Sequence, residues 1–247
     1  MAEGRPVRAR LRFRPRLLPT LVALPVAAAL AGLGLWQLER AAEKRALLER
    51  HAERRAAAPL PALPRPCDLA RHRYLRVRLR GRYLADRQIL LENRVHRGRV
   101  GYHVYSVLVP AGGGPWVLVN RGWIPAPPRR TEAQAPPPPA GEVDVTGMLN
   151  RPAAVGLRLG EALEGPVRWP LVLPYLDERI ATRALGHEVY GCVVYLDPQA
   201  PGGFVREWRI VELGPERHRA YAVQWFALAA AVLVLWLATQ RRRKEGP

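Results

Sequence analysis

The chain has 247 residues and a formal charge of +18, from 39 Lys and Arg against 21 Asp and Glu. Charged residues make up 24% of it, which excludes a disordered polyelectrolyte, and two cysteines, Cys67 and Cys192, exclude a disulfide-rich scaffold or a four-cysteine zinc site. Proline and glycine, 25 and 21 residues, belong in loops and at strand edges, so long uninterrupted helices should be few.

Residues 1–16 form a basic tail, with Arg5, Arg8, Arg10, Arg12, Arg14 and Arg16 against Glu3. Residues 17–35 carry no charge, and 19 residues of helix match a hydrocarbon core of about 30 Å. A signal peptide is the alternative reading, but Trp36 suits the interfacial anchor of an uncleaved span better. Residues 36–58 are rich in Ala, Leu, Glu and Arg, with Arg45 and Glu49 at i,i+4 spacing, and predict a helical stalk. PLPALPRP at 59–66 ends it.

From residue 74 the period changes to two. Leu75, Val77 and Leu79 alternate with Arg76, Arg78 and Arg80, which predicts a half-buried strand over 74–84 with an arginine-lined face. That face suits an anionic headgroup or an acidic partner, or is simply solvated. Gly81 interrupts the strand and suggests a bulge or a positive φ. Further strands are expected at 88–92, 102–109, 115–120, 142–149, 192–196 and 207–213, with a hairpin loop at 111–115 and an extended linker at 135–141. A helix is expected at 175–185, between Pro174 and Gly186. Closely spaced strands without alternating helices predict a mainly antiparallel β (α+β) domain, an open sheet or a small barrel, over 67–219. Residues 221–239 form a second uncharged run of 19, followed by a basic tail over 240–247 with Arg241, Arg242, Arg243 and Lys244.

Two transmembrane α-helices put both tails on one side. The positive-inside rule puts that side in the cytoplasm and residues 36–220 outside it. Arg40, Lys44, Arg45, Arg50, Arg54 and Arg55 run against this, but long loops cross largely regardless of charge. The basic tails are thus topology signals in contact with a lipid bilayer, and nucleic acid is not an expected partner.

No catalytic constellation stands out. There is no GxSxG, HExxH, P-loop or GxGxxG, and the only serine is Ser106, without a local motif. His51, His72, His96, His103 and His187 read as solvated or structural histidines. In an oxidising compartment Cys67 and Cys192 either pair or remain two buried thiols. The stretch RHRAYAVQWF at 217–226 carries the one distinctive constellation. His218, Tyr221 and Trp225 fall at i, i+3 and i+7 and should share a helical face at the membrane interface. A neutral imidazole there suits an axial ligand of haem iron, with the aromatic rings against the macrocycle. The alternative is the ordinary aromatic belt of a membrane helix.

Several segments together resemble one family. They are GLWQLERAAEK at 34–44, Gly81-Arg82-Tyr83, Leu91-Glu92-Asn93-Arg94, Gly101-Tyr102-His103-Val104, VLVNRGWIP at 117–125 and HRAYAVQWFALA at 218–229. Their order and spacing are similar to the Surfeit locus family of cytochrome c oxidase assembly factors, nearly end to end. The resemblance implies a non-enzymatic protein with two spans and a large outer domain that assists maturation of oxidase subunit I. It implies transient binding of haem a through His218, with Tyr221 and Trp225 beside it, and subunit I and haem a synthase as partners. The family's usual asparagine-rich lead-in is replaced by Pro215-Glu216-Arg217, and its usual apolar residue after the histidine by Arg219. High Ala, Arg and Pro content suggests a bacterial inner-membrane member with its domain in the periplasm. A membrane-anchored structural or sensory module, binding a protein partner without haem, is the competing reading.

Overall fold

The computed structural model describes residues 12–13, 16–129, 133–153, 160–163, 165–208 and 214–242. In chain order its elements are β1 (Arg12–Phe13), α1 (Leu17–Ala56), α2 (Leu69–His72), β2 (Arg76–His96), β3 (Arg99–Pro110), β4 (Val117–Pro125), β5 (Glu142–Asn150), β6 (Leu171–Leu173), α3 (Glu178–Leu185), β7 (Val193–Leu196), α4 (Pro215–Gln240) and β8 (Arg241–Arg242). They form two units, Met1–Arg50 with Ile210–Pro247, and His51–Arg209.

The first unit is a helix pair. Both α1 and α4 are long and apolar enough to cross a membrane. Their large apolar side chains point outward, Leu18 being 76% and Leu235 66% exposed. Water would penalise that surface, whereas hydrocarbon does not. The buried positions within the apolar runs are small: Ala222 and Ala229 on α4, and Ala27 and Gly34 on α1, where Ala41 continues the seven-residue spacing; Pro215 and Gln240 are buried at the two ends of α4. Small residues let two helix backbones approach closely where lipid removes the hydrophobic drive. A Cβ on Gly34 would stand 2.6 Å from the Phe226 ring. Further along the pair, the Trp236 indole N–H donates to Thr20 Oγ1 at 3.0 Å, and the Arg16 backbone N–H to Gln240 Oε1 at 2.7 Å. β1 and β8 add a short antiparallel ladder. Contrary to the expectation from proline content, α1 runs unbroken for 40 residues through Pro25. A spanning helix tolerates proline because neighbouring groups re-satisfy the freed carbonyl.

The second unit is a mixed, mostly antiparallel six-stranded sheet. β2 pairs with β5 over Arg76–Arg82, with β3 over Gly81–Tyr83 and again from Gln88 to His96, and takes β6 in parallel at Ile89–Leu91. β3 pairs with β4, β4 with β7 in parallel, and β7 with β5. The ring β2–β3–β4–β7–β5 therefore closes on itself, which pairs strand edges that would otherwise template aggregation. The two strands expected at 74–84 and 88–92 are one. A register shift between Tyr83 and Gln88, with β3 the partner on both sides of it, absorbs the polar residues that look like a break.

Gly81 corrects a second expectation, since it has neither a bulge nor a positive φ. It pairs with Pro110 on one side and Val143 on the other, and an added Cβ would drive into the Val109 carbonyl. The glycine is required by close approach of the third strand. β6, between Pro170 and Pro174, was not expected. Glu207 and Trp208 lie outside any strand, and the rest of the strand expected at 207–213 lies outside the described residues.

The helix expected at 175–185 starts at Glu178, because Asp177 caps it by accepting from the Ile180 N–H at 2.9 Å; Gly186, at φ 63°, ends it. The segment expected as a linker has no regular structure but packs on the sheet. The Pro136 carbonyl accepts from Gln88 and Arg121, and Pro138 is buried.

Val77, Leu79, Val119, Val145, Leu149 and Val194 form a continuous apolar face drawn from four strands. Cys192 joins it and forms a disulfide with Cys67, with Cα atoms 5.9 Å apart. The arginine face of β2 is partly paired: Arg76 bonds Asp197 at 2.7 Å and Arg80 bonds Glu142 at 2.9 Å.

Candidate functional site

The sequence Asn120-Arg121-Gly122-Trp123 lies within β4, beside a register shift between Val104 and Tyr105 of β3. Asn120 Oδ1 accepts from the Gly122 N–H at 3.0 Å, and its amide nitrogen lies 3.4 Å from His103 Nδ1. Gly122 sits at φ 121°, and a Cβ there would stand 2.7 Å from the Val205 carbonyl. Arg121 is buried and donates to the Gly202, Pro136 and Pro137 carbonyls and to Ser106 Oγ, at 2.7 to 3.3 Å. Its guanidinium lies 4.7 Å from the Phe204 ring. All four acceptors are neutral, and burial lowers its pKa. Trp123 donates to the Arg94 carbonyl at 2.7 Å. This motif ties two irregular segments, around Pro136 and Gly202, to the sheet. Its work is structural.

Beside it lies a buried polar and aromatic cluster. Tyr105 and Tyr195 share a side-chain hydrogen bond, and burial raises both phenols. Trp208 packs 4.6 Å from Tyr195 and edge-on to His103 at 6.0 Å. Burial and then the Arg94 charge lower the His103 pKa to about 4, so it is neutral near pH 7. The other barrel histidines also have local contacts. His51 stands edge-on to Tyr74, His72 Nδ1 accepts from the Asp68 N–H, His96 packs on Trp123, and His187 stacks on Trp116 at 4.1 Å.

His218 lies in the helix pair, in the first turn of α4. Successive residues advance about 100° around a helix. Ala222 is thus about 40° from His218 on one side and Tyr221 about 60° on the other. The seam follows His218, Ala222 and Ala229. Tyr221 is left 45% exposed on the flank, and Trp225 is half-buried. The three predicted site residues are therefore on one half of the helix, but His218 alone makes a polar contact with α1.

That contact is 2.8 Å, from His218 Nδ1 to the side-chain oxygen of Gln37. An amide oxygen only accepts, so Nδ1 carries the proton and Nε2 carries the lone pair. Nε2 is shielded from solvent and has no partner among the described residues. Gln37 was not singled out for a role by sequence reasoning. The available signal was the seven-residue spacing of Ala27, Gly34 and Ala41, which marks the packed face of α1 and brings Gln37 to its margin.

The SURF1 family model matches residues 24–230. A SURF1-like protein of Monosiga brevicollis is 27% identical over 90% of this chain and 87% of its own length. Surfeit locus protein 1 of Homo sapiens is 28% identical over 92% and 78%, and a SURF1-like protein of Drosophila melanogaster 30% identical over 83% and 72%. Since the match takes in most of α1, the whole closed sheet and the first 16 residues of α4, the chain belongs to the SURF1 family.

Proposed function

We propose that this chain, in a family known as cytochrome oxidase assembly factors, holds haem a and presents it during maturation of oxidase subunit I. The observation that carries the haem reading is the His218–Gln37 pair with its unpartnered Nε2. A histidine metal ligand is ordinarily oriented through its second nitrogen by a hydrogen-bond acceptor, which fixes the tautomer and raises ligand basicity. Gln37 has the chemistry of that acceptor. The residues present therefore fit a haem iron: His218 would supply a nitrogen ligand, with Trp225 and the exposed Tyr221 beside it on the helix. The bound group would supply the porphyrin iron that the oxidase requires; the chain supplies position and an apolar surround.

The basic tails support a topology with residues 36–220 outside the cytoplasm, in the periplasm of a bacterial inner membrane. The disulfide accords with an oxidising compartment. On this reading subunit I and haem a synthase are the partners. Purification after co-expression with haem a synthesis enzymes tests the reading. A coloured protein with a haem a spectrum is expected. A colourless protein would leave a membrane-anchored module that acts without haem.

A further inference from the structure

A partly open cavity of about 160 Å³ lies within the barrel unit, between the end of α1, the start of β2 and the segment 197–208. Three guanidinium groups line it, those of Arg55, Arg76 and Arg206, against one carboxylate, Asp197, a net charge of +2. The Arg73 guanidinium, 4.6 Å over the Tyr74 ring of the same wall, adds to the positive field. Asp197 fixes two of the lining cations. Its Oδ2 accepts from Arg76 Nη2 at 2.7 Å, and its backbone carbonyl accepts from Arg206 Nη1 at 2.6 Å. Arg206 is held further by the Ala200 and Phe204 carbonyls. The second terminal nitrogen of each, Arg76 Nη1 and Arg206 Nη2, has no hydrogen-bond partner among the described residues. Unlike Arg76 Nε, these two nitrogens are open to solvent. The exposed Arg55 has neither hydrogen bond nor ion pair among the described residues. Each guanidinium on the wall thus keeps donors free. The apolar part of the wall includes Met148 and Trp208, whose indole N–H is fixed on the Leu196 carbonyl at 2.9 Å.

We propose that this cavity binds the dianionic phosphoryl group of a phosphate monoester with an apolar stem. Its two negative charges balance the lining, and its three terminal oxygens meet three guanidinium groups. A carboxylate has one charge and two oxygens, and leaves one guanidinium unmatched. Arg76 and Arg206 are already held by Asp197, so little ordering remains to be done on binding. The stem lies against Trp208 and Met148. A soluble monoester and the headgroup of phosphatidate carry this same group.

Phenyl phosphate is the probe, with the full chain in nanodiscs of zwitterionic lipid and binding followed by calorimetry. Saturable binding is expected, with phenyl sulfate, of the same shape but one charge, weaker by about fivefold or more. Arg55→Gln removes a side chain without a protein partner, so protease resistance should be unchanged while affinity falls about tenfold, as for one charged hydrogen bond. Asp197→Asn keeps an acceptor for Arg76 and removes only the negative charge, so affinity should rise about fivefold. Nanodiscs containing phosphatidate separate the two sources. Weaker apparent binding of phenyl phosphate there assigns the site to the lipid headgroup, unchanged binding assigns it to a soluble ester, and both support a phosphoryl site. Absence of saturable phenyl phosphate binding overturns the proposal. Phenyl sulfate binding as tightly as phenyl phosphate overturns it as well, as does unchanged affinity in a folded Arg55→Gln protein.

Discussion

The helix pair and the barrel are stabilised in opposite ways. The barrel closes its strand edges, buries Val77, Leu79, Val119 and Val194 against one another, and is tied by a disulfide. The helix pair turns its large apolar residues outward and meets along alanine and glycine, with few polar contacts. The distribution of motif specificity is reversed with respect to chemistry. The most distinctive sequence, Asn120-Arg121-Gly122-Trp123, secures backbone, whereas a lone histidine on an otherwise ordinary helix keeps a nitrogen unpartnered. Substitutions at the barrel's strand contacts and disulfide should therefore act through abundance, and substitution of His218 in the helix pair through binding with abundance preserved.

The largest expected effect is Gly81→Glu. Backbone on both sides of β2 is paired there, so neither the Val109 carbonyl nor the neighbouring strands can yield to a side chain. The barrel should fail to form, and membrane abundance with protease resistance in the mutant measures this. Wild-type levels would show that the three strands separate more easily than their pairing implies.

Removing the Cys67–Cys192 bridge comes next. It closes a separation of 125 residues, for which chain entropy gives about 5 kcal/mol. The double alanine variant should lose roughly that much in denaturant unfolding of the barrel, while α1 and α4 remain inserted. Equal loss in both units would break the comparison.

Acid should also act on the barrel. An imidazole of the unfolded chain binds its proton near 6.5, whereas His103 binds it at about 4. Between those values the unfolded chain holds more protons. Stability is therefore intact above pH 6.5 and falls as the pH drops to 4, by about 3 kcal/mol from this one group. Denaturant midpoints at pH 7.5, 5.5 and 4.5 should show the fall, and His103→Gln should flatten it. An unflattened profile would assign the acid sensitivity elsewhere.

Much of this architecture is legible in the sequence because it is local. The charge-free runs, the alternation of Arg76 to Arg80 with Val77 and Leu79, and the Asp177 to Gly186 boundaries each follow from residues within a few positions. What escapes is set by distant partners. Polar Asp86 and Arg87 look like a loop, yet β2 continues through them because β3 pairs with it both before and after them. Gly81 reads as a bulge, since the approach of Val109 leaves no mark nearby in the chain. The prolines of 135–141 read as a linker, because their acceptors are filled by Arg121 and Gln88, far from them in sequence. At the candidate site, His218 is legible as an interfacial histidine; its partner Gln37, 181 residues away, is not.

The smallest expected effect on stability belongs to that pair and tests the comparison most closely. His218→Ala removes one side-chain hydrogen bond at the end of a small-residue seam, a loss of about 1 kcal/mol. Ala222, Ala229 and the Gly34–Phe226 contact are untouched, so the helices should stay paired and the protein abundant. Gln37→Leu should cost a similar amount, because it leaves the His218 Nδ1–H without its acceptor. The two variants differ in what they do to Nε2. Alanine deletes the nitrogen, and haem a binding should be lost. Leucine frees the ring from its tautomer, and binding should weaken without vanishing. Phe226→Ala supplies the packing control: it opens space beside Gly34 and should lower abundance more than either variant while leaving the haem a spectrum of the surviving protein unchanged. If His218→Ala lowers abundance as much as Phe226→Ala does, the histidine is a packing residue of the seam, and the division between a structural barrel and a binding helix pair fails at the residue on which it rests.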